Sequence, residues 1–453
     1  MKTSQDQNQA VILFETIAQR LAERLPEKTK PFFLAMMLGA LLAIARRRTV
    51  TKWLMAAQIS DDYQKAFYHI PHIGRKGTAL LDENLKMILE ELGEVIQTAK
   101  SIRMVLDDSP TKRYGLKIEG AGYHHNPTPG RTKAKICFGH SWVVAALVIT
   151  HPAFGEISFP IAAELYLRQK EIDKLKEKYD RKFQTKTTMV VEIVKRLVAK
   201  FKAFEKKIEV IVDGGYAADT VLVPLSELAN VVVITRFRRD SAFYEIPVQP
   251  EKRGRGRPKV YGNKIDLVSM IESEDGWEYV ECRQYGRDVT KRVKWFIVTS
   301  KLTRGKPIKV VLIKEDDGVW VPLVSTDISL EVREILESYA VRFGIEEMFK
   351  DLKEVWGWGK QELRLLESNE AATAMNMLLY SMTELATWNC DLVELVDRSD
   401  RPWDDPLRRP SHEDRRRYLR RGILDKEFND ALDLASIPQK ITTLLKKLLQ
   451  LAA

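Results

Sequence analysis

Cysteine is scarce in this chain: Cys137, Cys282 and Cys390 are the only three in 453 residues, and no two form a CxxC pair. That excludes a disulfide scaffold and leads us to expect a reducing, cytoplasmic setting. Long apolar runs are missing too. The longest, Phe32 to Ala45, has 14 residues. A bilayer span needs ~20, so the run reads as a buried helix. It starts too late for a secretory signal and ends in the wrong charges, Arg46, Arg47 and Arg48. No internal repeat occurs, and no His or Cys cluster has zinc spacing. His124-His125 lies in a polar loop and His140 precedes a buried strand, positions suited to ordinary surface or core roles. With 45% apolar and 30% charged residues, disorder is excluded as well.

Positive charge, by contrast, is in excess. Lysine plus arginine number 73 against 63 acidic residues, a formal net charge of +10. The excess gathers at Arg46 to Arg48, at Lys252 to Lys259 and at Arg408 to Arg421. It points to a polyanionic partner, nucleic acid first. The length suggests about three domains, at ~150 residues each.

Residues 1–100 read as helical. A basic turn between two short helices, with Thr49 as a cap, has the outline of a DNA-binding helix-turn-helix and equally of a plain helical bundle. From residue 101 strand patterns take over, then alternate with helices up to 239, which suits an α/β domain with a mixed sheet. Residues 240–330 are β-rich and open with a basic arm. Residues 331–370 return to helix, with one helix expected from Glu331 to Val355. Residues 371–453 are helical, ending in a helix over Ile437 to Leu451.

The most informative segment is Tyr339-x2-Arg342-x3-Glu346-x6-Lys353. On a continuous helix at ~100° per residue these four side chains share one face, with Lys350 nearby. Val341, Ile345, Met348, Leu352 and Val355 share the opposite face. A solvated face with an i,i+4 Arg–Glu pair is the plain alternative. At ordinary residue frequencies, however, this fixed spacing arises in a chain of such length with a chance of only about 1%.

The spacing resembles the YREK signature of DDE transposases from bacterial insertion sequences, the insertion-sequence-four group. Leu323 to Asp327 resembles the strand that leads into that helix, and Phe349 and Lys350 resemble the residues after the family's Glu. The resemblance covers about residues 100–365. It implies an RNase H-like catalytic core interrupted by a β-rich insertion, and two further carboxylates on neighbouring strands. Ile211-Val-Asp-Gly-Gly-Tyr216 ends a buried strand with Asp213 at its edge and resembles the family's second Asp; an ordinary Asp-Gly turn is the alternative. Met104 to Ser109 also ends a strand. Asp107-x-Ser109 fits the family's first Asp, although Asp108 competes, since adjacent strand residues face opposite ways.

The resemblance implies that Asp107, Asp213 and Glu346 hold two Mg²⁺ or Mn²⁺ ions, hard cations that take oxygen ligands. It implies that Tyr339, Arg342 and Lys353 bind the transposon end. Arg253-Gly-Arg-Gly-Arg-Pro258 resembles an AT-hook, whose arginines enter a narrow minor groove. Arg253, Arg255 and Arg257 are its candidate contacts, a solvated arm being the alternative. The arginines from Arg408 to Arg421 suit phosphate contact or a plain charged helix face equally. The expected function is cutting of donor DNA at inverted-repeat ends and joining of the 3′-OH to target DNA. A homodimer on DNA and a hairpin intermediate are implied by the family. A host nuclease with the same core and a silent DNA-binding descendant are the rivals.

Overall fold

The computed structural model describes residues 5–44, 48–59, 63–126, 133–248, 258–315, 318–396, 398, 403–405 and 408–431. The arm arginines Arg253, Arg255 and Arg257, and the helix expected over Ile437 to Leu451, lie outside the described residues.

Helices come first: α1 (Gln5–Ala22), α2 (Lys30–Leu42), α3 (Val50–Ala56), α4 (Tyr63–Arg75), α5 (Gly77–Glu91) and α6 (Gly93–Thr98). The apolar run forms α2, which at 13 residues is buried among its neighbours. Among the described residues no helix is long and apolar enough to cross a membrane. Thr49 caps α3 as expected, its hydroxyl accepting from the Lys52 amide at 3.3 Å. Helices α2 and α3 pack so closely that a Cβ on Gly39 would lie 1.9 Å from the Trp53 carbonyl oxygen.

The strands and helices that follow are β1 (Ile102–Lys112), β2 (Gly122–His125), β3 (Ile136–His151), β4 (Gly155–Tyr166), α7 (Gln169–Leu175), α8 (Lys186–Val198), β5 (Ile208–Val212), α9 (Asp219–Leu225) and β6 (Val231–Arg236). β1 lies antiparallel to β3, and β3 to β4. β5 and β6 run parallel to β1. The order β4-β3-β1-β5-β6 is thus a mixed sheet with helices on its faces. All five residues of β5 are buried, as a strand covered on both faces requires. β1 extends past the short run expected over Ile102 to Leu106, because Asp107 to Lys112 continue the ladder against β3.

The β-rich stretch supplies β7 (Phe243–Tyr244), β8 (Glu278–Gln284), β9 (Arg287–Ser300), β10 (Pro307–Lys314) and β11 (Trp320–Ser325), with α10 (Leu267–Glu272) between β7 and β8. Its strands join the same sheet. β11 pairs antiparallel with β6, then β10, β9 and β7 follow, while β8 pairs with β9. Among the described residues, eleven strands therefore form one sheet.

The chain returns through α11 (Val332–Ala340), α12 (Phe343–Glu354), α13 (Leu366–Ala386), α14 (Leu392–Leu395) and α15 (His412–Ala431). α13 is buried along nearly its whole length, against α1, α4, α5, α15 and β4. Each fully buried Leu or Met there is worth about 1.5–3 kcal/mol of apolar transfer, so α13 ties the N-terminal helices to the sheet.

Candidate active site

The sheet places two carboxylates side by side. β1 and β5 run parallel with Leu106 opposite Val212, so the next residue of each chain segment, Asp107 and Asp213, lies at the same level. Asp213 leaves β5 and caps the 3₁₀ turn Gly214–Tyr216, its carboxylate accepting from the Gly215 amide at 3.3 Å. Asp107 stands within β1, not at its end, and accepts its neighbour's amide (Asp108 N) at 2.8 Å.

The segment carrying Tyr339 to Lys353 is two helices, not one. α11 ends at Ala340, and α12 begins at Phe343 after a turn at Val341-Arg342. The apolar face is as expected: Val341, Ile345, Met348, Leu352 and Val355 are all buried. The polar face also survives the break, because the i,i+4 relation of Arg342 and Glu346 is kept. Arg342 pairs with Glu346 Oε1 at 2.7 Å and with Asp107 Oδ2 at 3.5 Å. Its guanidinium also lies 5.9 Å from the centre of the Tyr339 ring. A buried Glu209 on β5 accepts from Ser338 Oγ at 2.6 Å, which pins the end of α11 to the sheet.

The electrostatics follow from this crowding. Burial pushes the Asp107 carboxyl up to about 7, and the negative charges of Asp108 and Asp213 add to the rise, against the Asp108 amide and Arg342. Burial alone would lower the Arg342 pKa, but Tyr339, Glu346 and Asp213 outweigh it and hold the guanidinium charged. Burial pushes the Tyr339 phenol up. Lys353 is lowered, first by burial and then by the charge of Lys112, and donates to Ser109 Oγ at 2.6 Å. Ser109 is two residues from Asp107 and shares its side of β1.

Where the β1–β5 ladder stops, Arg342 joins Asp107, Glu346 and Tyr339, Asp213 lies level with Asp107, and Lys353 reaches Ser109 on the Asp107 side of β1. The donor set, three carboxylates, suits a hard divalent cation such as Mg²⁺ or Mn²⁺. Arg342 is the cation that the Asp107 and Glu346 carboxylates face here. Among the described residues no three His, Cys, Asp or Glu groups stand close enough to form a ready-made ligand set. Beyond Lys353 a cavity of about 900 Å³ continues the site, lined by Lys112, Arg113, Lys117, Trp358 and Arg364 among others.

Sequence reasoning missed the surroundings of Asp108. Its carboxylate accepts from Tyr216 Oη at 2.8 Å, from Lys186 Nζ at 2.5 Å and from Ser141 Oγ at 3.3 Å. Lys186 is 78 positions away in the chain, so no local pattern signals the contact. Asp108 thus faces Tyr216, Lys186 and Ser141, and Asp107 faces Arg342.

The model of the DDE superfamily endonuclease family matches residues 20–301, more than half of the chain. The chain belongs to the DDE superfamily endonucleases. The match spans Asp107 and Asp213 and ends before Tyr339. No curated protein matches the chain. Among solved structures, a piggyBac transposase synaptic complex with hairpin DNA, seen by cryo-electron microscopy, aligns over 99% of this chain and 77% of that one. The identity is 10% and the TM-score 0.35.

Proposed function

We propose that this endonuclease is a DNA transposase of the insertion-sequence-four (YREK) group. It would cut donor DNA at inverted-repeat ends and join the 3′-OH to target DNA. The observation that carries the reading is the ion-pair bridge from Arg342 to both Asp107 and Glu346 beside Asp213. It supports a single centre in which the spaced residues of α11 and α12 work with the strand carboxylates. The order β4-β3-β1-β5-β6, three antiparallel strands then two parallel to the first, is that expected of an RNase H-like core.

In this reading Asp107, Asp213 and Glu346 hold two Mg²⁺ or Mn²⁺ ions. When bound, such ions activate the attacking oxygen and stabilise the leaving one. The chain's own residues do the rest. Arg342 can clamp a phosphate with two parallel hydrogen bonds, and Lys353 contributes a point charge. Tyr339 packs against the sugar-phosphate backbone or an unstacked base. The cation-lined cavity beyond Lys353 gives the strand a place to run. The arm arginines Arg253, Arg255 and Arg257 add minor-groove contact, and two copies of the chain act on the two ends.

The test is cleavage of duplex DNA carrying the element's own ends, with Mg²⁺ or Mn²⁺. Asp213→Ala and Glu346→Ala should each abolish cutting and leave end binding within about twofold, since these residues act on the reacting centre. Binding lost in step with cleavage would make them structural residues. Binding without cutting by the wild-type chain would favour the silent descendant, and cutting of any duplex would favour a general nuclease.

A further inference from the structure

Asp107 and Asp213 must keep a fixed separation, yet the backbone ladder between their strands stops one step short of them. The last paired residues of β1 and β5 are Leu106 and Val212. Past that point Asp213 caps a three-residue 3₁₀ turn, Gly214–Tyr216, which has no register with β1. What joins this turn to β1 is a side-chain contact, Tyr216 Oη to Asp108 Oδ1 at 2.8 Å.

The contact is built, not incidental. The Tyr216 ring is buried, at 5% exposure, with only its hydroxyl directed to a polar partner. The Tyr216 amide donates to the Asp213 carbonyl at 2.9 Å, so the two residues move as one unit. The Asp213 carbonyl also accepts from Thr235 Oγ1 at 3.3 Å, which steadies the turn against β6. Asp108 is anchored in turn by Lys186, at the start of α8, and by Ser141 of β3. Lys186 Nζ lies over the Tyr166 ring of β4 at 5.4 Å. Donors from three elements therefore converge on the carboxylate next to Asp107, on the opposite face of the strand.

We propose that Asp108 and Tyr216 are positioning residues: together they hold the Asp213 turn at its distance from Asp107 and so keep the metal-binding pair in register. The inference rests on the transposase reading only for the identity of the chemistry; the hydrogen bonds that carry it stand without it. Tyr216→Phe removes one hydroxyl and keeps the buried ring. Loss of an outer partner of a metal ligand typically weakens metal affinity by about 10–100-fold. For Tyr216→Phe we expect Mn²⁺ affinity of the DNA-free protein to fall roughly tenfold. The rate constant for end cleavage should fall by a similar factor, with the Kd for end DNA unchanged. Asp108→Ala should act in the same direction, and the double variant should lose little more than the worse single, since both break the same hydrogen bond.

Mn²⁺ titration of the wild type, Tyr216→Phe, Asp108→Ala and Asp213→Ala proteins decides the matter, with single-turnover cleavage and Tm measured beside it. Unchanged Mn²⁺ affinity and cleavage with a lowered Tm would overturn the proposal and leave a purely structural contact. A wild-type protein that binds Mn²⁺ through Asp213 but does not cut end DNA would sink the transposase reading alone, because the affinity comparison still stands. No Mn²⁺ affinity in the wild type would overturn both.

Discussion

Asp107 carries the electrostatic cost of the site at the scale of a single residue. Burial first, then the charges of Asp108 and Asp213, raise its carboxyl to about 7 from an ordinary value near 3.8. A folded-state pKa above the unfolded one means that its contribution to stability is full below about pH 4 and is lost as pH rises through 7. In the metal-free protein Asp107→Asn should therefore raise stability at pH 8 by about 1–3 kcal/mol, while abolishing cleavage, and the gain should vanish near pH 4. Thermal melts at the two pH values check it; a loss of stability at pH 8 would mean that the Arg342 pair outweighs the desolvation. The arm arginines are a second matter for single residues. Replacing Arg253, Arg255 and Arg257 by Ala should flatten the salt dependence of DNA binding, the log–log slope falling by about 0.9 for each phosphate no longer neutralised. An unchanged slope would make the arm a bystander.

Helix ends decide the role of the basic tail. The stretch from Arg408 to Arg421 reads in sequence as phosphate-binding or simply solvated, and three of its arginines are engaged within the protein instead. Arg416 is fully buried on α15, and its Nη2 donates to the Leu41 carbonyl at 3.0 Å and the Ala43 carbonyl at 2.7 Å, closing the C-terminal end of α2. Arg415 pairs with the buried Glu384 of α13. Arg408 pairs with Asp404 and Asp414, each at 2.6 Å. Arg416→Met should take the side-chain donor from the Leu41 carbonyl, leave Ala43 with Arg48 alone, and cost about 2–4 kcal/mol, with DNA affinity at fixed folded fraction unchanged. Chemical denaturation measures the first and a binding isotherm the second; reduced affinity in fully folded protein would restore the phosphate-binding role.

For the whole molecule, buried histidines add to the acid sensitivity that paired carboxylates also bring. The Arg113 Nε–H donates to His140 Nδ1 at 3.3 Å, and the Trp356 Nε1–H to His412 Nε2 at 2.7 Å. The amides of Ala153 and Phe154 both donate to His151 Nδ1 at 3.0 Å. A ring nitrogen that accepts from an obligatory donor cannot take a proton without breaking that bond. Burial accordingly depresses all three, His140 to about 3 and His412 to about 4. Depressed folded values mean that the unfolded chain binds more protons below about pH 6.5, so stability is full above 6.5 and drains away as pH falls through 4. A melting series from pH 7.5 to 4.5 should show a loss of up to about 2 kcal/mol for each histidine, and His412→Phe, which can keep the stack on Tyr380, should flatten it. An unchanged slope in that variant would assign the acid sensitivity elsewhere.

Much of the candidate site was legible as pattern. Tyr339, Arg342, Glu346 and Lys353 stood out by spacing, because helical periodicity is local and survives even the break at Val341-Arg342. The buried strand Ile208 to Val212 placed Asp213 at its end, with an ordinary Asp-Gly turn as the competing reading. Local patterns do not report which elements meet across the sheet. That the strands of β7 to β11 continue the main sheet through β11 and β6 depends on edge pairing, which leaves no trace in period or composition. The choice between Asp107 and Asp108 was likewise open in the sequence, because alternation along a strand says only that they face apart. Tertiary packing separates their surroundings: Arg342 arrives on one face, and Tyr216 and Lys186 converge on the other. The net charge of +10 follows from composition alone, but burial determines which cations are left for a polyanion, and Arg415 and Arg416 are not among them.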